Sequence, residues 1–133
     1  MASSADLERL RQLYARWSKG DFTYSEILDP EIKSESFGVW PEGQGKTENR
    51  RELAAAIGRW LSAWQRPLTI DAEEFVQRGD RILVLVRWNG RGKGSGLEIE
   101  ATGAHLWTFR DGLAVRFDVY RDREEAGAAL EGA

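Results

Sequence analysis

The sequence predicts an α+β domain in which a strongly curved, mixed or antiparallel sheet wraps around N-terminal helices. Apolar residues recur at helical spacing from Leu7 to Trp17 and again from Leu53 to Trp64, whereas from Leu68 onward the pattern alternates with period 2. Helices first and strands afterwards, joined by short turns, segregate the helices to one face of a sheet. No repeat, linker or shift in composition divides the 133 residues, so one domain over residues 1–133 and one core suffice.

The elements follow in order. Ser3 and Asp6 make a capping-box start for a helix whose apolar positions are Leu7, Leu10, Leu13, Tyr14 and Trp17, and Gly20 ends it. Asp29-Pro30 breaks a short turn around residues 23–28, and an extended piece runs from Glu31 to Ser36. Phe37 to Thr47 contains three glycines and Pro41, a loop that carries Phe37 and Trp40 and therefore reads as a lid. Asn49 with Glu52 opens a second helix bearing Leu53, Ile57, Trp60, Leu61 and Trp64, which Pro67 stops. Strands are expected from Leu68 to about Phe75, from Arg81 to Trp88, from Leu97 to Phe109 and from Leu113 to Arg121, with turns at Gly79-Asp80 and Asp111-Gly112 and a glycine-rich hairpin tip at Asn89 to Gly96. Asp122 with Glu125 caps a last short helix.

Composition narrows the function classes. A net charge of -3 with dispersed Lys and Arg argues against nucleic acid, whose binding needs clustered cations against phosphates. The opening MASSADLERL has no secretory pattern, and no apolar run approaches the roughly 20 residues that cross a bilayer, so a cytoplasmic, membrane-free protein is expected. With no cysteine and one histidine, neither a metal nor a cofactor is expected. The stretch from Gly90 to Gly96 resembles a phosphate loop only superficially, because its lysine is not followed by Ser or Thr and no helix begins after it. Six tryptophans, five phenylalanines and three tyrosines suit either a bulky core or an aromatic wall around a flat apolar molecule.

Alternation along the strand from Leu97 to Phe109 sets Gly103, His105, Trp107 and Phe109 on one face, which is the inward one. His105 is thus the candidate catalytic or ligand-orienting group, and a hydrogen-bonded core histidine is the alternative. Asp118, between Phe117 and Val119, falls on the outer face. Leu83, Leu85, Leu106 and Tyr120 share that outer face, and so much apolar surface predicts a homodimer across it.

Three stretches carry a resemblance: residues 86–90, VRWNG; residues 103–112, GAHLWTFRDG; and residues 118–126, DVYRDREEA. Their order and spacing resemble the SnoaL-like proteins of the nuclear transport factor 2 superfamily, relatives of ketosteroid isomerase and the polyketide cyclases. The resemblance covers nearly the whole chain and implies a cone-shaped fold with an apolar pocket. It also implies that the isomerase's tyrosine donor falls on Leu13, with Tyr14 turned away by about 100°. The isomerase's carboxylate base falls near Ser34, with Glu35 on the opposite face, and its protonated aspartate falls on His105. A cyclase-like pairing of His105 with Asp118 would need a bulge, and Arg121 would stand at the cone's mouth or on its solvated rim. The pocket walls implied are Leu13, Trp17, Ile57, Leu61, Trp64, Ile82, Val84, Val86, Trp107 and Phe117, with Trp40 from the loop. The expected function is binding of a small hydrophobic molecule, with isomerase, cyclase or dehydratase chemistry through His105. A non-catalytic carrier or sensor, and an interaction module whose own side chains fill the cone, are the alternatives.

Overall fold

The computed structural model describes residues 2–23, 25–38 and 45–132. Helix α1, Ser4–Trp17, starts on the expected capping box: the Ser3 hydroxyl accepts from the Asp6 amide at 3.1 Å and the Asp6 carboxylate accepts from the Ser3 amide at 2.9 Å. A 3-10 turn at Ser25–Ile27 leads into strand β1, Leu28–Phe37, followed by a short β2, Lys46–Thr47. Helix α2, Arg50–Leu61, is capped by Asn49, whose side chain accepts from the Glu52 amide at 2.9 Å. Strands β3, Trp64–Arg78, β4, Arg81–Gly92, β5, Glu98–Arg110, and β6, Leu113–Tyr120, form the meander, and helix α3, Arg123–Glu131, completes the described chain. No helix among the described residues is long and apolar enough to cross a membrane.

The sheet order is β2-β1-β6-β5-β4-β3, antiparallel throughout except for the parallel pair of β1 with β6. Strand β1 runs through Asp29-Pro30, which the sequence marked as a break. Its register against β6 shifts between Leu28 and Lys33, and a proline tucked into an unpaired stretch costs no ladder hydrogen bond. Asp111 and Gly112 both adopt positive φ, 53° and 82°, as a tight hairpin between β5 and β6 requires.

Several expected boundaries move: β1 begins at Leu28, β4 runs through Gly92 into the expected hairpin tip, and the junction of α2 with β3 shifts. Helix α2 ends at Leu61 with Ser62 as its cap, and Trp64 opens β3 opposite Gly92 instead of continuing the helix. The residue before a proline is disfavoured in the α region. Pairing of residues 64–65 with residues 91–92 then draws the chain before Pro67 into the sheet.

The inner face of the sheet holds Ile70, Ile82, Val84, Val86, Trp107, Phe109 and Phe117 against Leu10, Leu13, Tyr14 and Trp17 of α1. The outer face is covered in part by α3, whose Ala126 and Leu130 pack on Leu83, Ala104 and Leu106. Arg123 fastens the start of this helix by donating to the carbonyls of Gly103 at 3.1 Å and Val86 at 2.8 Å, and it pairs with Glu73. Arg81 donates to the Ala129 carbonyl at 3.1 Å near its end. Leu83 and Leu106, two of the four side chains on which the expected dimer surface rests, are therefore buried within the chain itself. Gly103 also has a different role from leaving ligand space: a Cβ there would stand 2.8 Å from the Tyr120 carbonyl oxygen, so the close approach of β6 requires glycine.

Candidate functional site

His105 lies on the inner face, as alternation requires, with Val84 and Val119 beside it on the neighbouring strands. It is 7 % exposed and walled by aromatic rings: Phe117 meets it edge-on at 5.0 Å between centroids, Trp17 at 6.1 Å, and Tyr14 lies nearly parallel at 5.8 Å. The Tyr14 hydroxyl stands 2.6 Å from His105 Nδ1 and accepts a hydrogen bond from the Trp107 indole N–H at 3.0 Å. Three polar groups are thus linked inside an otherwise apolar wall. Among the described residues, the one hydrogen bond of the His105 ring is at Nδ1, and Nε2 has none.

Burial governs the charge states. It pushes the His105 pKa down to about 3, so the ring is neutral at ordinary pH. It raises the Tyr14 phenol too, opposed weakly by the Trp107 N–H, so the hydroxyl keeps its proton.

Tyr14 overturns an expectation. The resemblance set Leu13 at the donor position and turned Tyr14 away, but both are buried, at 0 % and 2 % exposure. The signal was present in the helical stripe: Tyr14 follows Leu10 by four residues and precedes Trp17 by three, hence shares their face.

The expected carboxylates stay outside the cone. Ser34 pairs with Phe117 and is buried, whereas Glu35 lies opposite Asp118 on the outer face, where its amide donates to Asp118 at 3.1 Å. Arg116 Nε donates to Asp118 at 2.7 Å, and burial nonetheless raises this carboxyl above its ordinary range. No bulge turns Asp118 inward, so a His105–Asp118 dyad does not form. Arg121 is exposed beyond the end of β6. Among the described residues, no group of three or more His, Asp or Glu could hold a metal ion.

Leu13, Trp17, Val84, Val86, Trp107 and Phe117 all belong to the core cluster around His105, while Ile57 is a half-buried member of its margin. Leu61 is also half-buried. Trp64, moved into β3, packs edge-to-face against Trp60 at 6.1 Å and Trp88 at 5.0 Å, making a half-buried aromatic group at the margin of the core. Trp40 and most of the expected lid lie outside the described residues. An open cleft of about 660 Å³ lies between the start of β1 and α2, lined by Phe22, Pro30, Arg50 and Ala54 among others. Its Phe22 ring touches Trp17 at 5.8 Å, and Trp17 in turn faces His105. A second cleft, of about 670 Å³, lies at the far end of β3, β4 and β5, lined by Thr69, Asn89 and Glu100 among others. Neither is lined by His105.

Comparison with known proteins accords with this fold. The family model described as the SnoaL-like domain matches residues 10–117. No curated protein matches the chain. Among solved structures, an NTF2-like protein of unknown function from Burkholderia pseudomallei superposes with a TM-score of 0.74 at 22 % identity, covering 96 % of this chain and 98 % of that one. TerC, co-crystallised with polyporic acid, gives 0.70 at 20 % identity, with the same coverages of 96 % and 98 %. A protein from Jannaschia sp. CCS1, provisionally described as a SnoaL-like polyketide cyclase, gives 0.72 at 18 % identity over 98 % and 94 %. At these identities the likeness is one of fold.

Proposed function

The chain belongs to the SnoaL-like domain family, and from that membership we propose that it binds a small, flat hydrophobic molecule inside the cone, with His105 as the polar group that orients it. The observation that carries this reading is the Nε2 of a neutral histidine, without a hydrogen-bond partner among the described residues and set among Trp17, Phe117 and Tyr14. Few polar atoms in an apolar aromatic lining is the composition of small-molecule sites. The crystallisation of TerC with polyporic acid supports a small organic ligand.

If the protein is an enzyme, His105 serves an isomerase, cyclase or dehydratase as a neutral donor to developing negative charge on oxygen, because a ring that protonates only near pH 3 is a poor imidazolium acid at neutrality. The second reading, a carrier or sensor, is favoured by the buried polar side chains of the described core: Asp6, Ser34 and Asp118 supply no carboxylate beside His105 that could act as base.

The test is thermal melting of wild type and His105→Ala with a panel of planar aromatic ketones and acids. At least one ligand should raise the wild-type melting temperature and lose that effect in the variant. The variant itself should be less stable by about 1 to 3 kcal/mol, because Tyr14 loses its partner. A wild type that no member of the panel stabilises overturns the proposal.

The same proposal includes a homodimer on the part of the outer face that α3 leaves open, where Phe37 stacks on Tyr120 at 4.6 Å beside Arg116 and Asp118. Sedimentation at micromolar concentration should show a dimer for wild type and a monomer for Tyr120→Glu. A wild-type monomer at every concentration would remove this part.

A further inference from the structure

We propose that Tyr14 is a positioning residue that locks His105 with its proton on Nε2, so that the site presents a donor and selects ligands by a carbonyl or enolate oxygen. The inference rests on the small-molecule reading above and adds the direction of the hydrogen bond.

The direction follows from counting donors and acceptors. The Trp107 indole nitrogen can only donate, so the Tyr14 oxygen accepts there, at 3.0 Å. The phenol has one proton of its own, and among the described residues its one other polar neighbour is His105 Nδ1, at 2.6 Å. If the phenol donates, Nδ1 is the bare nitrogen and the proton lies on Nε2. If Nδ1–H donated instead, the buried phenol proton would be left without an acceptor, a loss that disfavours this arrangement by about tenfold or more. Trp107 is thus the outer anchor of a one-way relay: indole to phenol, phenol to imidazole, imidazole to guest.

The fold makes the relay rigid. His105 and Trp107 are two residues apart on β5 and therefore on one face, and the Tyr14 hydroxyl from α1 reaches both. Phe117 packs against both rings, at 5.0 Å from His105 and 4.3 Å from Trp107, and so opposes rotation of either. A guest oxygen that accepts completes the network, whereas an ammonium or any guest that only donates leaves two donors facing each other.

The chain has a single histidine, which makes the test direct. Tag-free protein labelled with ¹⁵N at histidine gives one pair of ring nitrogens in a long-range ¹H–¹⁵N correlation spectrum. Wild type should show a protonated Nε2 and a bare Nδ1, and Tyr14→Phe, which keeps the ring and removes the donor, should show exchange between tautomers. A proton on Nδ1 in wild type, or a spectrum indifferent to Tyr14→Phe, overturns the lock; the wild-type spectrum decides this even if the variant does not fold. For selection, the probes are 9-fluorenone and fluorene, flat molecules that differ by one carbonyl. Wild type should prefer the ketone by about fivefold or more, the worth of one hydrogen bond, and Tyr14→Phe should narrow that preference while fluorene affinity stays within about twofold. Equal affinity of wild type for the two compounds overturns the selection. Binding of neither, with the expected spectrum, defeats the small-molecule reading while leaving the tautomer lock in place.

Discussion

Trp107→Ala should lower the stability of the protein by about 3 to 5 kcal/mol, a large part of the roughly 5 to 15 kcal/mol that holds a domain together. The residue is 1 % exposed, among the largest fully buried side chains, and its ring touches Phe117 at 4.3 Å and Trp17 at 6.5 Å. Truncation leaves a cavity at the centre of the inner face that the sheet cannot close, since Ile82 and Phe117 are held on either side by ladder pairing. The contrast is Trp64→Ala, where a half-buried ring in the group with Trp60 and Trp88 is removed, at an expected cost of about 1 to 2 kcal/mol. Urea denaturation of both variants beside wild type measures the difference. Equal losses would mean that the tryptophans of the margin bear as much of the fold as Trp107.

The second large effect is on pH. His105 titrates at about 6.5 in the unfolded chain and is pushed down to about 3 by burial in the native one. The native state therefore favours the neutral ring: the contribution is complete above pH 6.5 and is lost as pH falls from there toward 3. One proton taken up only on unfolding costs about 1.4 kcal/mol per pH unit below 6.5, or about 2 kcal/mol by pH 5. Other groups act lower or in the opposite sense. Asp6, despite its burial, is held below the ordinary carboxylate range by bonds from Ser3 and Arg9, and its contribution fades only as carboxylates protonate. Asp118, raised by burial, favours the native state as it gains its proton and so offsets part of the loss. Chemical denaturation at half-unit steps from pH 7.5 to 5 should thus show a decline in wild type that His105→Gln flattens. A wild-type stability independent of pH across that interval would show that the ring is solvated, and would remove the buried relay with it.

The relation of these results to the sequence is uneven. Alternation alone placed His105, Trp107 and Phe117 inward and Asp118 outward, because a strand's faces are set residue by residue and a bulge is the one local way to change them. The capping residues Ser3, Asn49 and Asp122 likewise marked the true starts of all three described helices, since a cap acts within one turn. The helical stripe of α1 contained Tyr14, yet its partner could not be read from it: whether Tyr14 or Leu13 meets a strand histidine 91 residues later depends on how the helix docks. Three more features were decided at long range. Trp64 left the helical pattern because residues 91 and 92 offered it a strand partner; the parallel pairing of β1 with β6 joins segments that no turn connects; and α3 folded back over Leu83 and Leu106, taking apolar surface that alternation alone assigns to a second subunit. Periodicity determines which side of an element is apolar. What covers that side is settled by packing between parts of the chain far apart in sequence, where the free energy of burial outweighs local preference.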